Sequence, residues 1–182
     1  MRVAMPIVSD FELLEMTATL DILRRASINV DTISLENTQV VYASNKVGVI
    51  VDKKIEDINL KDYDSIILTG GKGTIKYFEY KDLLSNIVEF NKDKKLVSAI
   101  CQAPTILANL GILKEKLATV FPNFNKELIE NNVIIDKVGV VKDSNIITAT
   151  SVNYSIEFGL EIVEYLLGIE KRKEIEKQII RY

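Results

Sequence analysis

The 182-residue chain is long enough for one well-buried α/β domain and short for two, and its 47% hydrophobic and 27% charged residues are typical of a folded protein. A net charge of -3, with basic and acidic residues interspersed, argues against nucleic acid as a partner. The absence of histidine and the single cysteine exclude Ser-His-Asp and Cys-His hydrolases, Cys-His-Glu amidotransferases and histidine-ligated zinc, so we predict no metal site.

The sequence also lacks signals for export or membrane insertion. No window approaches about 18 consecutive apolar residues, and MRVAMPIVSDFE has no signal-peptide pattern. One cysteine cannot form an internal disulfide, as expected in a reducing compartment. We therefore expect a cytoplasmic protein with no membrane role.

Short Val- and Ile-rich runs alternate with segments of helical period along the chain. This pattern predicts a mainly parallel sheet with helices on both faces, in a single domain of residues 1–182. RVAMPIV is the first predicted strand, DFELLEMTATLDILRRAS a helix capped by Ser9 or Asp10, and INVDTISL the second strand. The apolar positions of that helix are Leu13, Leu14, Ala18, Leu20, Ile22 and Leu23.

The second half of the chain continues the alternation. Residues 39–57 predict an antiparallel pair around a turn at Asn45 and Lys46. YDSIILTGG and LVSAIC are predicted strands, with the helix YKDLLSNIVEFNKDKK between them. A helix at 103–110, short β segments near 117–120, 133–141 and 145–149, a helix from Ser155 to Leu167, and a solvated amphipathic helix in IEKRKEIEKQIIRY follow.

The only thiol lies where a predicted strand meets a helix, in AICQA. Ala99 and Ala103 flank Cys101 at the positions where the G-x-S-x-G elbow has glycines, because a sharp strand-to-helix turn has little room. Such a turn presents its side chain above the carboxyl ends of a parallel sheet, where α/β folds bind ligands. At a helix N-terminus, Cys101 is expected to be an acidic nucleophile; the alternative is a small buried hydrophobe.

Two other elements support a site. The pair Gly70-Gly71 ends a predicted central strand, where backbone N–H groups can approach a ligand, although a glycine pair can also be a plain turn. With no imidazole, a proton must come from another group, and FELLEM offers Glu12 and Glu15 on one helical face. A Glu15 that faced inward would have a raised pKa and could act as general acid and base; the alternative is a solvated helix glutamate.

These elements, in this order, resemble the ThiJ/PfpI superfamily, in its DJ-one/YajL-like branch. The resemblance rests on the following blocks, which span nearly the whole chain: EMTATLDILRRASINV, YDSIILTGG, AICQAPTILANLGIL, ATVFP and SIEFGLEIVEYLLG. It implies a class I glutamine amidotransferase-like fold, that is, a flavodoxin-like three-layer α/β/α sandwich, and a homodimer with its pocket near the subunit interface.

The resemblance also implies roles for individual residues. Cys101 matches the oxidation-prone nucleophile and Glu15 the carboxyl that hydrogen-bonds it. Gly70, Gly71 and the backbone of Cys101 and Gln102 match the oxyanion pocket. The implied activities are glyoxalase or deglycase action on methylglyoxal, glyoxal or their adducts, protection against oxidative stress, and chaperone activity.

Some positions depart from the family pattern. Phe121 stands where one branch has histidine, and Gln102 stands where the peptidase branch has it, which disfavours protease activity. Asn45, with Lys46 beside it, replaces a basic pocket residue, while Arg25 retains a family arginine that could otherwise be a helix-end cation.

The leading hypothesis is a cofactor-independent enzyme, a glyoxalase III- or deglycase-like hydrolase or lyase, in which the Cys101 thiolate attacks an aldehyde and Glu15 moves a proton. The first alternative is a redox sensor without turnover, whose thiol is oxidised to sulfinate. The second is a structural dimer or holdase chaperone that does not need Cys101.

Overall fold

The computed structural model describes residues 1–179, and its core is a mainly parallel sheet. The strands are β1 (Arg2–Ile7), β2 (Asn29–Ser34), β3 (Val40–Tyr42), β4 (Gly48–Ile50), β5 (Lys53–Lys54), β6 (Ser65–Leu68), β7 (Leu96–Ile100), β8 (Leu117–Ala118), β9 (Ile134–Ile135), β10 (Val140–Asp143) and β11 (Ile146–Ala149). The α-helices are α1 (Leu13–Arg25), α2 (Lys81–Lys92), α3 (Pro104–Asn109), α4 (Asn125–Glu130), α5 (Ser155–Leu167) and α6 (Ile169–Ile179). Short 3-10 helices span Ile55–Asp57, Leu60–Asp62, Lys72–Glu79, Pro122–Phe124 and Val152–Tyr154.

Seven strands form the central sheet in the order β10-β11-β7-β6-β1-β2-β5. The pairs from β11 to β5 are parallel, and only the edge strand β10 runs antiparallel to its neighbour. The strands β3 and β4 form a separate antiparallel hairpin, as the sequence predicts for residues 39–57. None of the helices within residues 1–179 has the length and apolar character needed to cross a bilayer.

Helices cover both faces of the sheet, so the prediction of a three-layer α/β/α sandwich is confirmed. Side chains alternate between the faces along β1: Val3, Met5 and Ile7 pack with α1, α5 and α6, whereas Ala4 joins the core under α2, α3 and α4. The central strands β6 and β7 are buried on both faces, which explains their uninterrupted apolar runs.

The start of α1 differs from the prediction. The helix begins at Leu13 with Glu12 at its N-cap, and no side chain caps it. Ser9 instead hydrogen-bonds Glu36, and Asp10 has a left-handed backbone with a φ of 66°. The predicted apolar face is also shifted: Leu14 is 59% exposed, and the buried positions are Glu15, Met16, Thr19, Ile22 and Leu23.

Most other predicted helices and strands are confirmed to within a few residues, and α5 has the predicted bounds. The segment predicted at 133–141 instead forms two strands of different sheets, β9 and β10, and α4 was not predicted. The C-terminal amphipathic helix is present as α6, although residues 180–182 of that prediction lie outside the described residues. The strands β1, β6, β7 and β11 are parallel neighbours, so the loops that follow them lie together at the carboxyl ends of the strands.

Candidate active site

Cys101 lies at the elbow between β7 and α3, as predicted. Its backbone is left-handed, with a φ of 64°, and is held on both sides. The Cys101 N–H donates to the Ala149 carbonyl at 2.8 Å, and the Cys101 carbonyl accepts from the Phe121 N–H at 2.8 Å. Ala99 and Ala103 are fully buried, which agrees with the expected need for small flanking residues. The Cys101 side chain itself remains partly exposed.

Glu15 comes from the first turn of α1 and points into the protein, with only 1% of its surface exposed. Its Oε2 accepts a hydrogen bond from the Gly70 N–H at 2.8 Å. Its Oε1 has no hydrogen-bond partner within residues 1–179. Glu15 and Cys101 are close enough for each to change the pKa of the other, although no thiol-to-carboxyl hydrogen bond of conventional geometry forms. The alternative of a solvated Glu15 is therefore wrong.

Gly70 makes the close approach of these groups possible. A Cβ at this position would lie 2.9 Å from the Cys101 Cβ, 2.9 Å from the Glu15 Oε2 and 3.0 Å from the Gln102 nitrogen. These distances are shorter than real Cβ contacts. The glycine thus provides both the space in which the acid and the thiol meet and the N–H that orients the acid.

Burial raises the pKa of Glu15 to about 7 and is the largest influence on it. The Cys101 thiol and the Gly70 N–H lower this pKa, while the negative charge of Glu12 raises it further. A carboxyl with this pKa can hold or release a proton near neutral pH, as expected for a general acid and base.

The prediction of an acidic thiol is wrong for the state in which Glu15 is ionised. Burial raises the pKa of Cys101, and the neighbouring Glu15 carboxylate raises it further, whereas the Gln102 N–H lowers it. Desolvation and like charge therefore outweigh the helix N-terminus, which is the only one of these influences visible in the local sequence.

Four backbone N–H groups are candidate donors near the sulfur, and two of them already donate to oxygens of the protein. Within the described part of the chain, the N–H groups of Gly71 and Gln102 donate to no oxygen. The Cys101 N–H is occupied by Ala149, and the Gly70 N–H is occupied by Glu15, so neither is open to a substrate oxygen. The Gly71 and Gln102 N–H groups are thus not occupied by other protein oxygens, and the Gln102 N–H interacts with the Cys101 thiol.

Of the other predicted site residues, the structure brings some next to Cys101 and leaves others outside the site. Phe121 is adjacent, through its hydrogen bond to the Cys101 carbonyl. Arg25 is ten residues beyond Glu15, about 15 Å along α1, and pairs with Asp21 at 2.7 Å, so it does not join the site. Asn45 accepts from the Val47 N–H in its own turn, and Lys46 is an exposed residue 3.6 Å from Asp10.

Two acidic residues near the site have contacts that differ from the roles the sequence suggested, which were a possible proton donor for Glu12 and a helix cap for Asp10. The charge of Glu12 raises the pKa values of both Glu15 and Cys101, and its three-residue spacing from Glu15 was the available signal. The sequence offered Asp10 only as a helix cap, and its pairs with Lys46 and Lys76 gave no signal because these partners are distant in sequence. No group of three or more potential metal-ligating side chains occurs within residues 1–179, and the four surface clefts described include neither Cys101 nor Glu15.

Comparison with known proteins identifies relatives over nearly the whole chain. The model of the DJ-1/PfpI family matches residues 1–165. Protein dj-1beta of Drosophila melanogaster is 32% identical over 93% of this chain and 91% of its own. The Caenorhabditis elegans protein named glutathione-independent glyoxalase DJR-1.2 is 29% identical over 93% of this chain and 90% of its own. The structure of oxidized Toxoplasma gondii DJ-1 superposes with a TM-score of 0.92 at 29% identity, covering 98% of this chain and 97% of that one.

Proposed function

The chain belongs to the DJ-1/PfpI family, and on that premise we propose that it is a cofactor-independent glyoxalase that converts methylglyoxal or glyoxal into the corresponding hydroxy acid. The observation that carries the proposal is the buried Glu15 carboxyl, with a pKa of about 7, beside the partly exposed Cys101 thiol. A relative named as a glyoxalase, with similar coverage, supports the same substrate class.

The first step forms the carbon–sulfur bond. Ionised Glu15 takes the proton of the Cys101 thiol, and the thiolate attacks the aldehyde carbon of the substrate. The carbonyl electron pair moves to oxygen, where the free N–H groups of Gly71 and Gln102 can stabilise the developing charge. Glu15 then returns its proton to that oxygen, which gives a hemithioacetal and leaves Glu15 ionised again.

The second step moves a proton between the two carbons of the substrate. Glu15 takes the proton from the former aldehyde carbon, and an enediol forms as water gives a proton to the adjacent carbonyl oxygen. Glu15 delivers its proton to the second carbon, while the hydroxyl on the former aldehyde carbon returns a proton to the hydroxide left by that water. The product is a thioester of Cys101 with the hydroxy acid. Water cleaves this thioester and restores the thiol. Methylglyoxal and water thus give lactate, with no external oxidant or reductant.

Lactate formation from methylglyoxal by purified protein tests this proposal. We expect Cys101→Ala and Glu15→Gln to lose more than about 100-fold in kcat/KM, since each removes a group that forms or breaks a bond. Asp21→Asn is the matched control, because it removes a carboxylate from the exposed side of the same helix. A Cys101→Ala variant that forms lactate at the wild-type rate rejects the proposal.

Glycated thiol or amine adducts, assayed in parallel, distinguish a deglycase from a glyoxalase.

One observation favours a second candidate, a protective redox sensor. The unpartnered Oε1 of Glu15 would, when protonated, be a hydrogen-bond donor for an oxygen added to the sulfur. Two peroxide molecules convert the thiolate to sulfinate and yield two waters, and the chain has no second cysteine to intercept the sulfenate. Rapid addition of two oxygens by intact mass, slowed in Glu15→Gln and without aldehyde turnover, would favour the sensor. A holdase chaperone instead predicts activity that survives Cys101→Ala.

We also propose that the protein is a homodimer. Large apolar side chains are exposed on α1, on the β3–β4 hairpin and on α5: Leu14 at 59%, Ile50 at 73% and Ile156 at 51%. Exposed apolar patches of this kind are typical of protein interfaces. Sedimentation equilibrium of the wild type and Ile50→Lys tests the assignment, and a wild-type monomer at micromolar concentration would reject it.

A further inference from the structure

Asp10 has an unusual backbone for its residue type. It follows β1 by a short loop and adopts a left-handed conformation, with a φ of 66°. Non-glycine residues rarely adopt this region, and Asp and Asn do so most readily. Such a conformation persists when the surrounding structure holds it in place.

Hydrogen bonds and ion pairs hold Asp10 on several sides. Its N–H donates to the Tyr42 carbonyl at 2.8 Å, and its carbonyl accepts from the Gly73 N–H at 3.0 Å and the Ser44 hydroxyl at 2.7 Å. Its carboxylate lies 3.6 Å from the Lys46 ammonium and 3.3 Å from that of Lys76. One residue therefore joins the β1–α1 loop to the β3–β4 hairpin and to the segment after β6.

The Asp10 loop also contacts the elements that surround the thiol. A Cβ on Gly71 would lie 2.6 Å from the Asp10 carbonyl oxygen and 2.5 Å from the Glu12 nitrogen, so the loop lies directly against Gly71. The Glu12 N–H donates to the Gly70 carbonyl at 2.9 Å, and the Gly70 N–H binds Glu15. A shift of Asp10 would thus displace both the first turn of α1 and the glycine pair.

We propose that Asp10 is a positioning residue, which through Lys46 and Lys76 fixes the Glu15 carboxyl and the Gly71 N–H relative to the Cys101 sulfur. Its carboxylate faces Lys46 and Lys76, and Lys76 is also 4.0 Å from Glu36. The Lys76 ammonium lowers the pKa of Asp10, so the anchor is ionised wherever the site operates. The catalytic part of this inference rests on the proposed glyoxalase function, whereas the effect on the thiol does not.

Asp10→Asn isolates the contribution of the carboxylate, since Asn tolerates the left-handed backbone and keeps the main-chain hydrogen bonds. Cys101 is the only thiol in the chain, so the pH dependence of its alkylation by iodoacetamide reports on the protonation of Cys101 and of the neighbouring Glu15. We expect the Glu15-linked step of the profile to move down by about half a pH unit, because a less constrained carboxyl gains water. We also expect kcat for methylglyoxal to fall about tenfold with KM nearly unchanged.

Lys76→Met removes the closer cation and is expected to shift the alkylation profile in the same direction. Asp21→Asn, which breaks a surface ion pair with Arg25, is the matched control and should leave the profile unchanged. A folded Asp10→Asn or Lys76→Met variant with a wild-type alkylation profile would overturn the inference. If the wild type forms no lactate, the proposed function fails, while the alkylation profiles still decide the role of Asp10.

Discussion

Two regions of the molecule withdraw carboxyl groups from water and differ in the cations that accompany them. Glu15 is almost fully buried, and no basic side chain within the described residues forms an ion pair with it. Between α5 and α6, by contrast, the Arg172 guanidinium lies 2.8 Å from Glu161, 3.1 Å from Glu164 and 2.9 Å from Glu176, and also binds Glu157.

The presence or absence of a neighbouring cation distinguishes the carboxylates around Arg172, which have a structural role, from the reactive carboxyl of Glu15. Without a cation, desolvation raises the pKa of Glu15 to about 7, so that this acid can exchange a proton under ordinary conditions. Around Arg172, charge pairing compensates for desolvation and attaches α6 to α5. Lys142 adds a second cation, 2.7 Å from Glu161. Glu15 therefore differs from the four carboxylates around Arg172 in two respects, its deeper burial and, within residues 1–179, the lack of a neighbouring cation.

Gly70→Ala should have the largest effect on the site around Glu15. The added Cβ would overlap the positions of Cys101, Glu15 and Gln102, so the acid and the thiol would have to separate. We expect lactate formation to fall more than about 100-fold and the free energy of unfolding to fall by about 1–3 kcal/mol. Enzyme kinetics and urea denaturation measure the two effects. Gly111→Ala is the control for activity, since a Cβ there meets nothing within 4 Å, although its φ of 73° strains any L residue and lowers stability as well. An equal loss of lactate formation in both variants would contradict the interpretation.

Glu15→Gln tests the unpaired, buried carboxyl through the pH dependence of stability. The folded-state pKa of about 7 lies above the usual 4.5. Folded protein therefore binds the proton more tightly than unfolded protein, and the wild type loses stability as pH rises from about 4.5 to 7. Glutamine keeps the neutral form at every pH, so the variant should be more stable by about 3 kcal/mol above pH 7 and equal to the wild type below pH 4.5. Parallel stability curves across this range would contradict the assignment.

Arg172→Met tests the compensated region. Removal of the guanidinium leaves four neighbouring carboxylates without their shared cation. We expect the free energy of unfolding to fall by about 2 kcal/mol, less than for a fully buried pair because the carboxylates are partly exposed. Lys173→Met, on an exposed position of the same helix, is the control. Alkylation of Cys101 should be unchanged; a shifted alkylation profile would show that the two regions are coupled.

Arg25→Ala should have the smallest effect. Its partner is Asp21, one helical turn away on the surface, and its guanidinium is remote from the thiol. We expect kcat/KM for methylglyoxal to stay within about twofold and stability to change by less than about 0.5 kcal/mol. A tenfold loss of activity in this variant would show that Arg25 contributes to the site.

Much of the fold and the centre of the site follow from local sequence. Alternating Val- and Ile-rich runs identify the strands, and the positions of Cys101 and Gly70 at strand ends place them together because parallel strands end at the same edge. The inward orientation of Glu15 was predicted only as one of two alternatives. Helical spacing fixes the face of a residue relative to its neighbours, not the direction of that face.

The missed features depend on contacts between segments that are distant in sequence. Asp10 gains its conformation from Tyr42, Gly73 and two lysines, none of which is near it in the chain. The raised pKa of Cys101 requires both the burial of the sulfur and the distance to Glu15. Arg25 was assigned by resemblance alone, and its surface ion pair with Asp21 becomes evident only when the helix is placed.

The edges of the central sheet determine how copies of this chain can associate. One edge strand is β5, which consists of Lys53 and Lys54. The other edge strand is β10, in which Lys142 and Asp143 follow two valines. Short, charged edge strands resist pairing with strands of another molecule. Growth of the central sheet from one molecule into the next is thereby disfavoured, which protects a concentrated solution from fibrous aggregation and leaves the helices, the loops and the β3–β4 hairpin as the surfaces for assembly.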